Sequence, residues 1–151
     1  MRDRLRDMLT ASLKAGNKRR VATVRLILAA IKDRDIAIRS DEPVDGVSED
    51  EILAILQKMV KQRRESITLY QEGGRLELAV QEEEEISIIQ EFLPQQMRQE
   101  EIADAVDKAM LDVGATGLKD MGCVMGLLKE RHGGRMDFAK AAAQVKNRLS
   151  S

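Results

Sequence analysis

Only two prolines, Pro43 and Pro94, interrupt a chain of 151 residues. The stretches between them are rich in Ala, Leu, Glu, Lys, Arg, Gln and Met, the residues that lose least side-chain freedom in a helix. Apolar positions recur there at spacings of three and four, which aligns them on one face of a 3.6-residue helix. No convincing strand pattern, exact repeat or low-complexity linker interrupts this periodicity. The sequence therefore predicts an all-α protein punctuated by glycines and the two prolines.

The first helix is expected to reach about Ala15, with Leu5, Met8, Leu9, Ser12 and Leu13 as its buried stripe, before Gly16 and Asn17 end it. The second runs to about Arg39, with Val21, Val24, Leu28 and Ile31 on one face and Ile27 and Ile38 beside it. Residues 40–47, with Pro43, Asp45 and Gly46, read as a loop. Ser48 and Glu51 have the spacing of a capping box. The helix they open carries Ile52, Ile55, Leu56, Met59, Ile67 and Tyr70, with Arg63 interrupting its apolar stripe. Gly73 and Gly74 turn the chain into a fourth helix that ends near Leu93 and turns Leu76, Ala79, Ile86, Ile89 and Leu93 inward. Its glutamates at 82–85 lie about 100° apart around the axis and cannot converge on one ion. They are expected to form a solvated surface that pairs with Lys and Arg of the third helix.

Pro94 marks the expected boundary between an N-terminal four-helix bundle, 1–94, and a smaller C-terminal three-helix bundle, 95–151. The fifth helix, from about Gln99 to Val113, buries Ile102, Val106, Ala109, Met110 and Val113, and Gly114 closes it. Thr116 or Gly117 caps the sixth, with Asp120 in its first turn. Met121, Val124, Met125 and Leu128 share one face of that helix, while Gly122 and Gly126 share another. A glycine inside a helix costs about 1 kcal/mol against alanine, so the pair points to a place where a second backbone comes close. Gly133 and Gly134 stop the helix. Asp137 can cap the seventh, which buries Phe138, Ala141 or Ala142, Val145 and Leu149.

Charge is close to balanced overall, at −1, but unevenly placed. Residues 1–40 hold 11 basic against 4 acidic side chains, residues 41–105 hold 6 against 17, and residues 106–151 hold 8 against 5. Lys18, Arg19 and Arg20 occupy the first turn of the second helix, where cations oppose the dipole, so helix stability alone explains them poorly and they are candidates for binding an outside anion such as a tRNA phosphate. Lys119 at the start of the motif helix, with Lys129, Arg131 and Arg135 near its other end, can line a phosphate-binding face. Tyr70, Phe92 and Phe138 are the only aromatic residues. A protein that reads single-stranded RNA by stacking needs more, so any RNA is expected to be held by backbone and shape.

Catalytic parts are scarce. There is no Gly-x-Ser-x-Gly elbow, no nucleotide-binding glycine loop and no His or Cys cluster for zinc, so no cofactor and no metal is expected. His132 is the lone histidine, read as a cation at a helix C-terminus. Cys123 is the lone cysteine, which excludes an internal disulfide, and it is read as an inert thiol. No stretch is apolar over the roughly 18 residues a membrane span needs, and the charged start lacks the apolar core of a secretion signal. A cytoplasmic protein is expected.

Lys119-Asp120-Met121-Gly122, Val124-Met125-Gly126, and Gly134-Arg135 with Asp137 resemble the GatB/YqeY family. Val24-Arg25, the run from Lys61 to Ser66 and the Leu93-Pro94 break extend that resemblance over the whole chain. Cys123 stands where family-like sequences usually carry a basic residue, and Asp137-Phe138 where they carry Asp-Gly. The family comprises small free-standing proteins and the C-terminal tail domain of the B subunit of tRNA-dependent amidotransferases. The resemblance implies an all-helical, non-catalytic module that contacts tRNA or a tRNA-dependent amidotransferase or synthetase complex. Amidation itself is done by parts this chain lacks. Two other readings stay open: a protein-interaction adaptor without nucleic acid, and carbon-nitrogen ligase activity with glutamine as amide donor.

Overall fold

The computed structural model describes residues 1–39 and 46–150. All of the expected 40–47 loop except Gly46 and Val47 lies outside them. The described residues form seven α-helices: α1 (Arg2–Ala15), α2 (Lys18–Arg39), α3 (Glu49–Glu72), α4 (Leu76–Gln90), α5 (Gln99–Val113), α6 (Met121–His132) and α7 (Phe138–Ser150), with a short 3₁₀ turn at Leu118–Asp120. No strand occurs among them, so the all-α expectation holds. The chain divides into two compact units, Met1–Leu93 and Pro94–Ser151.

In the first unit the helix ends follow local chemistry. Gly16 adopts a left-handed conformation (φ 69°) that ends α1, and the Ser48 side chain accepts the N–H of Glu51 at 3.3 Å to start α3. The core gathers Leu5, Val24, Ile27, Ile31, Ile52, Leu56 and Ile89, each no more than 1% exposed. Two expected stripe residues fall outside it: Leu13 is 52% and Leu76 62% exposed. Both sit in the turn next to a chain reversal, where a helix face runs past its partner. Helix α4 stops at Gln90, short of Leu93, and Phe92 is buried in the turn that follows, with the Arg4 guanidinium 5.5 Å from its ring centre.

The glutamates of α4 are not a solvated surface throughout. Glu85 is buried and pairs with Arg63 of α3 at 3.0 Å and with Arg19 of α2 at 3.9 Å. Glu82 lies 3.9 Å from Arg63, and Glu84 3.3 Å from Arg19. The Arg63 that breaks the apolar stripe thus closes an ionic layer across three helices. Burial, and then the neighbouring Glu85, push the Glu82 carboxyl above the usual carboxylate range, against the pull of Arg63.

The second unit packs α5, α6 and α7 around Ile102, Val106, Ala109, Val124, Leu128, Met136, Ala141 and Val145. Gly114 (φ 69°) closes α5, and Asp137 caps α7 by accepting the N–H groups of Ala139 and Lys140 at 3.0 and 3.3 Å. Arg148 of α7 reaches back to the Ala103 carbonyl and to Asp107 of α5. No helix among the described residues is long and apolar enough to cross a membrane.

Candidate functional site

The motif segment enters α6 through a turn that the sequence places differently. Asp120 is not in the first turn of the α-helix. Its carboxylate accepts the N–H groups of Thr116 (2.9 Å) and Gly117 (3.3 Å), folding the chain back through the 3₁₀ turn, and α6 begins only at Met121. A carboxylate is the better acceptor in its charged form, so these two N–H groups hold Asp120 below the usual range. Lys119 stands exposed in this turn.

Helix α6 has two faces. Val124 and Leu128 are fully buried and Met121 and Met125 half-buried, as the periodicity requires. Gly122, Cys123, Gly126, Lys129 and Glu130 are exposed. A methyl group added at Gly122 or Gly126 would meet no side chain and no other segment's backbone within 4 Å beyond its own helical turn. The second backbone that the glycine pair suggests is therefore not supplied among the described residues. Each glycine weakens the helix by about 1 kcal/mol, and internal packing returns none of it.

At the other end of α6 the side chains converge. Gly134 is buried in a left-handed conformation (φ 80°), and its carbonyl accepts the Gln96 side-chain amide at 2.7 Å. Beside it the Arg135 carbonyl accepts Met97 N–H at 2.9 Å, and Arg135 Nε donates to the Gln95 carbonyl at 3.0 Å. Three consecutive residues, 95–97, thus hold Gly134 and Arg135 by backbone and side chain. Arg131 is oriented by Asp112 of α5 at 2.6 Å. Between them His132 has a buried Nδ1 with no hydrogen-bond partner among the described residues. Burial first, then Arg135, Arg131 and Lys108, hold the imidazole below its ordinary pKa. The expectation of a histidine cation at this helix end is thus reversed, because neighbouring cations and desolvation outweigh the dipole.

Lys108, Arg131 and Arg135, drawn from α5, α6 and the following turn, thus all act on one histidine and disfavour its charged form. Lys129 is exposed on the glycine face, and Lys119 lies about 18 Å from Arg131 along the helix axis, too far to join them. Sequence reading missed Lys108 and the Gln95–Met97 clamp. Lys108 had one signal, its position one turn before Asp112 on the same helix; the clamp had none. In the first unit, Arg19 is engaged by Glu84 and Glu85 and Arg20 by Glu91 at 2.5 Å, while Lys18 stays exposed. Much of the basic first turn of α2 is answered by carboxylates of α4 and of the turn after it. Cys123 is free and exposed. No cluster of three metal-ligating side chains occurs among the described residues.

A family model described as Yqey-like protein matches residues 2–149. The chain belongs to the YqeY-like family. Among curated relatives, an uncharacterized protein of Schizosaccharomyces pombe is 31% identical over 91 residues, covering 60% of this chain and 70% of that one. Proteins named altered inheritance of mitochondria protein 41, mitochondrial, are similar as well. That of Eremothecium gossypii is 34% identical over 59% of this chain and 46% of its own length. That of Vanderwaltozyma polyspora is 28% identical over 78% and 64%. The matched stretch is thus under two thirds of either mitochondria-named protein.

Proposed function

We propose that this YqeY-like chain is a non-catalytic helical module that binds tRNA, alone or within a tRNA-handling complex, through the phosphate backbone. The observation that carries the reading is the grouping of Lys108, Arg131 and Arg135 about His132, whose pKa all three hold down, with Asp112 paired to Arg131 and Glu101 facing Arg135. Such a cluster of cations favours an anion, and its neutral imidazole can gain a proton when the anion arrives. The exposed Gly122–Gly126 face beside Lys129 lets a backbone or a sugar-phosphate strand lie against the helix. Scarce aromatic rings favour phosphate contact over base stacking.

Filter binding of the full chain against total tRNA tests the proposal. Binding is expected at low salt, weakened at least tenfold by Arg131→Ala with Arg135→Ala, while the circular dichroism spectrum stays helical. Binding that ignores both substitutions would sink it.

A second reading is supported by the same bare glycine face: an adaptor that docks a partner helix there without nucleic acid. Partners retained on a tagged chain after nuclease treatment, and lost in Gly126→Leu, would favour it. Carbon-nitrogen ligase activity is a weaker proposal, and a glutaminase assay on the chain is expected to be negative. The cytoplasm remains the proposed location; the mitochondrial names of two relatives put that organelle beside it, and fractionation of cells expressing the tagged chain separates the two.

A further inference from the structure

The corner between α1 and α2 holds a concave pocket of about 320 Å³. One wall is a stripe of α2: Lys18, Val21, Ala22 and Arg25 at spacings of three, four and seven, with a cation at each end and apolar surface between. The facing wall is the end of α1, where Ser12 and Leu13 precede Gly16. No carboxylate lines the pocket. Neither cation has an acidic residue three or four positions away on its helix, and neither makes an ion pair among the described residues. The positive end of the α2 dipole lies at the same corner.

Ser12 is the independent observation. It is 3% exposed, yet its Oγ has no hydrogen-bond partner among the described residues. Elsewhere in this chain helical hydroxyls donate to the carbonyl one turn back: Thr10 to Arg6, Ser66 to Gln62 and Ser87 to Glu83. Ser12 departs from that habit, and it is a residue of the pocket lining. Buried polar groups left without a partner are uncommon in folded proteins and call for an explanation, which a ligand supplies.

We propose that this corner binds a small organic oxyanion, a carboxylate or phosphate ester carried on an apolar body. Arg25 presents a planar fork suited to either oxyanion and Lys18 a point charge. Leu13, half exposed to water, with Val21 and Ala22, receives the apolar part, and the Ser12 hydroxyl meets the inner end. The volume sits at the small end of ligand pockets, which suits a single ring system better than a large cofactor. The site shares no residue with the cluster around His132, so it stands or falls separately from the tRNA reading.

Titration of the ¹⁵N-labelled full chain with 1-naphthyl phosphate, 1-naphthoate, 1-naphthol and inorganic phosphate tests it. Both naphthyl anions are expected to shift the amides of residues 12–25 saturably, with naphthol and inorganic phosphate each binding at least tenfold more weakly. Lys18→Ala and Arg25→Ala, both surface changes that leave the spectrum folded, should each weaken the anions at least fivefold, and Ser12→Ala about threefold. Naphthol binding as tightly as the anions, shifts centred outside residues 12–25, or an Arg25→Ala variant of unchanged affinity would each overturn the assignment.

Discussion

Asp120 and His132 lie at opposite ends of one helix and respond to acid through opposite chemistry. The Asp120 carboxylate is held below its ordinary value of 3.8 by two N–H groups, so its stabilisation is complete above that value and is lost as pH falls through the lower folded value. Asp120→Asn is expected to lower the melting temperature at pH 7 and to flatten the acid limb of the stability curve below about pH 4. His132 is also held low, but its charged form is the protonated one. The unfolded chain therefore takes up the proton first, and stability falls as pH drops from about 6.5 toward the folded value, below which the loss levels off. With one histidine in the chain, its ring proton resonance can be followed without assignment. Lys108→Ala and Arg135→Ala are each expected to raise its pKa; a value that ignores both would mean the cations do not face it.

The bare face of α6 makes a prediction about helix stability. Gly122 and Gly126 are helical, exposed and free of steric neighbours, so Gly122→Ala and Gly126→Ala should each stabilise the protein by about 0.5–1 kcal/mol in chemical denaturation. Loss of stability would instead reveal a constraint on that backbone. The ionic layer of α2, α3 and α4 behaves differently. Glu85 and Arg63 are each nine-tenths removed from water or close to it, and removing one leaves the other charge stranded. Arg63→Ala is expected to cost roughly 3 kcal/mol, the lower end for breaking a buried pair. Glu82, pushed upward by burial and by Glu85, works against folding at neutral pH, so Glu82→Gln should raise stability at pH 7 and remove the gain seen on acidification toward pH 4.5.

Over the whole chain, internal pairing uses up much of the charge that the sequence displays. Arg2, Arg19, Arg20, Arg63, Arg98, Arg131 and Arg148 all meet carboxylates. A chain with a net charge of −1 has little long-range attraction for a polyanion. Affinity for tRNA should therefore come from a few local contacts. A plot of log affinity against log salt is expected to have a slope between about −2 and −4, matching the three or four cations of Lys108, Lys129, Arg131 and Arg135. A slope steeper than about −6 would place the interface elsewhere.

Periodicity, glycines and the Ser48 cap determined the helices, because each depends on residues within a turn of one another. The buried stripe of α6 and the Asp137 cap were legible for the same reason. What each charged side chain does was not. Arg63, Arg19 and Glu85 met only when three helices packed, Lys108 acts on His132 only across α5 and α6, and the Gln95–Met97 clamp on Gly134 and Arg135 joins segments about 40 residues apart. A sequence shows how many charges there are and on which helical face. Whether a charge is spent internally or left for a ligand depends on distances that exist only once the helices are side by side.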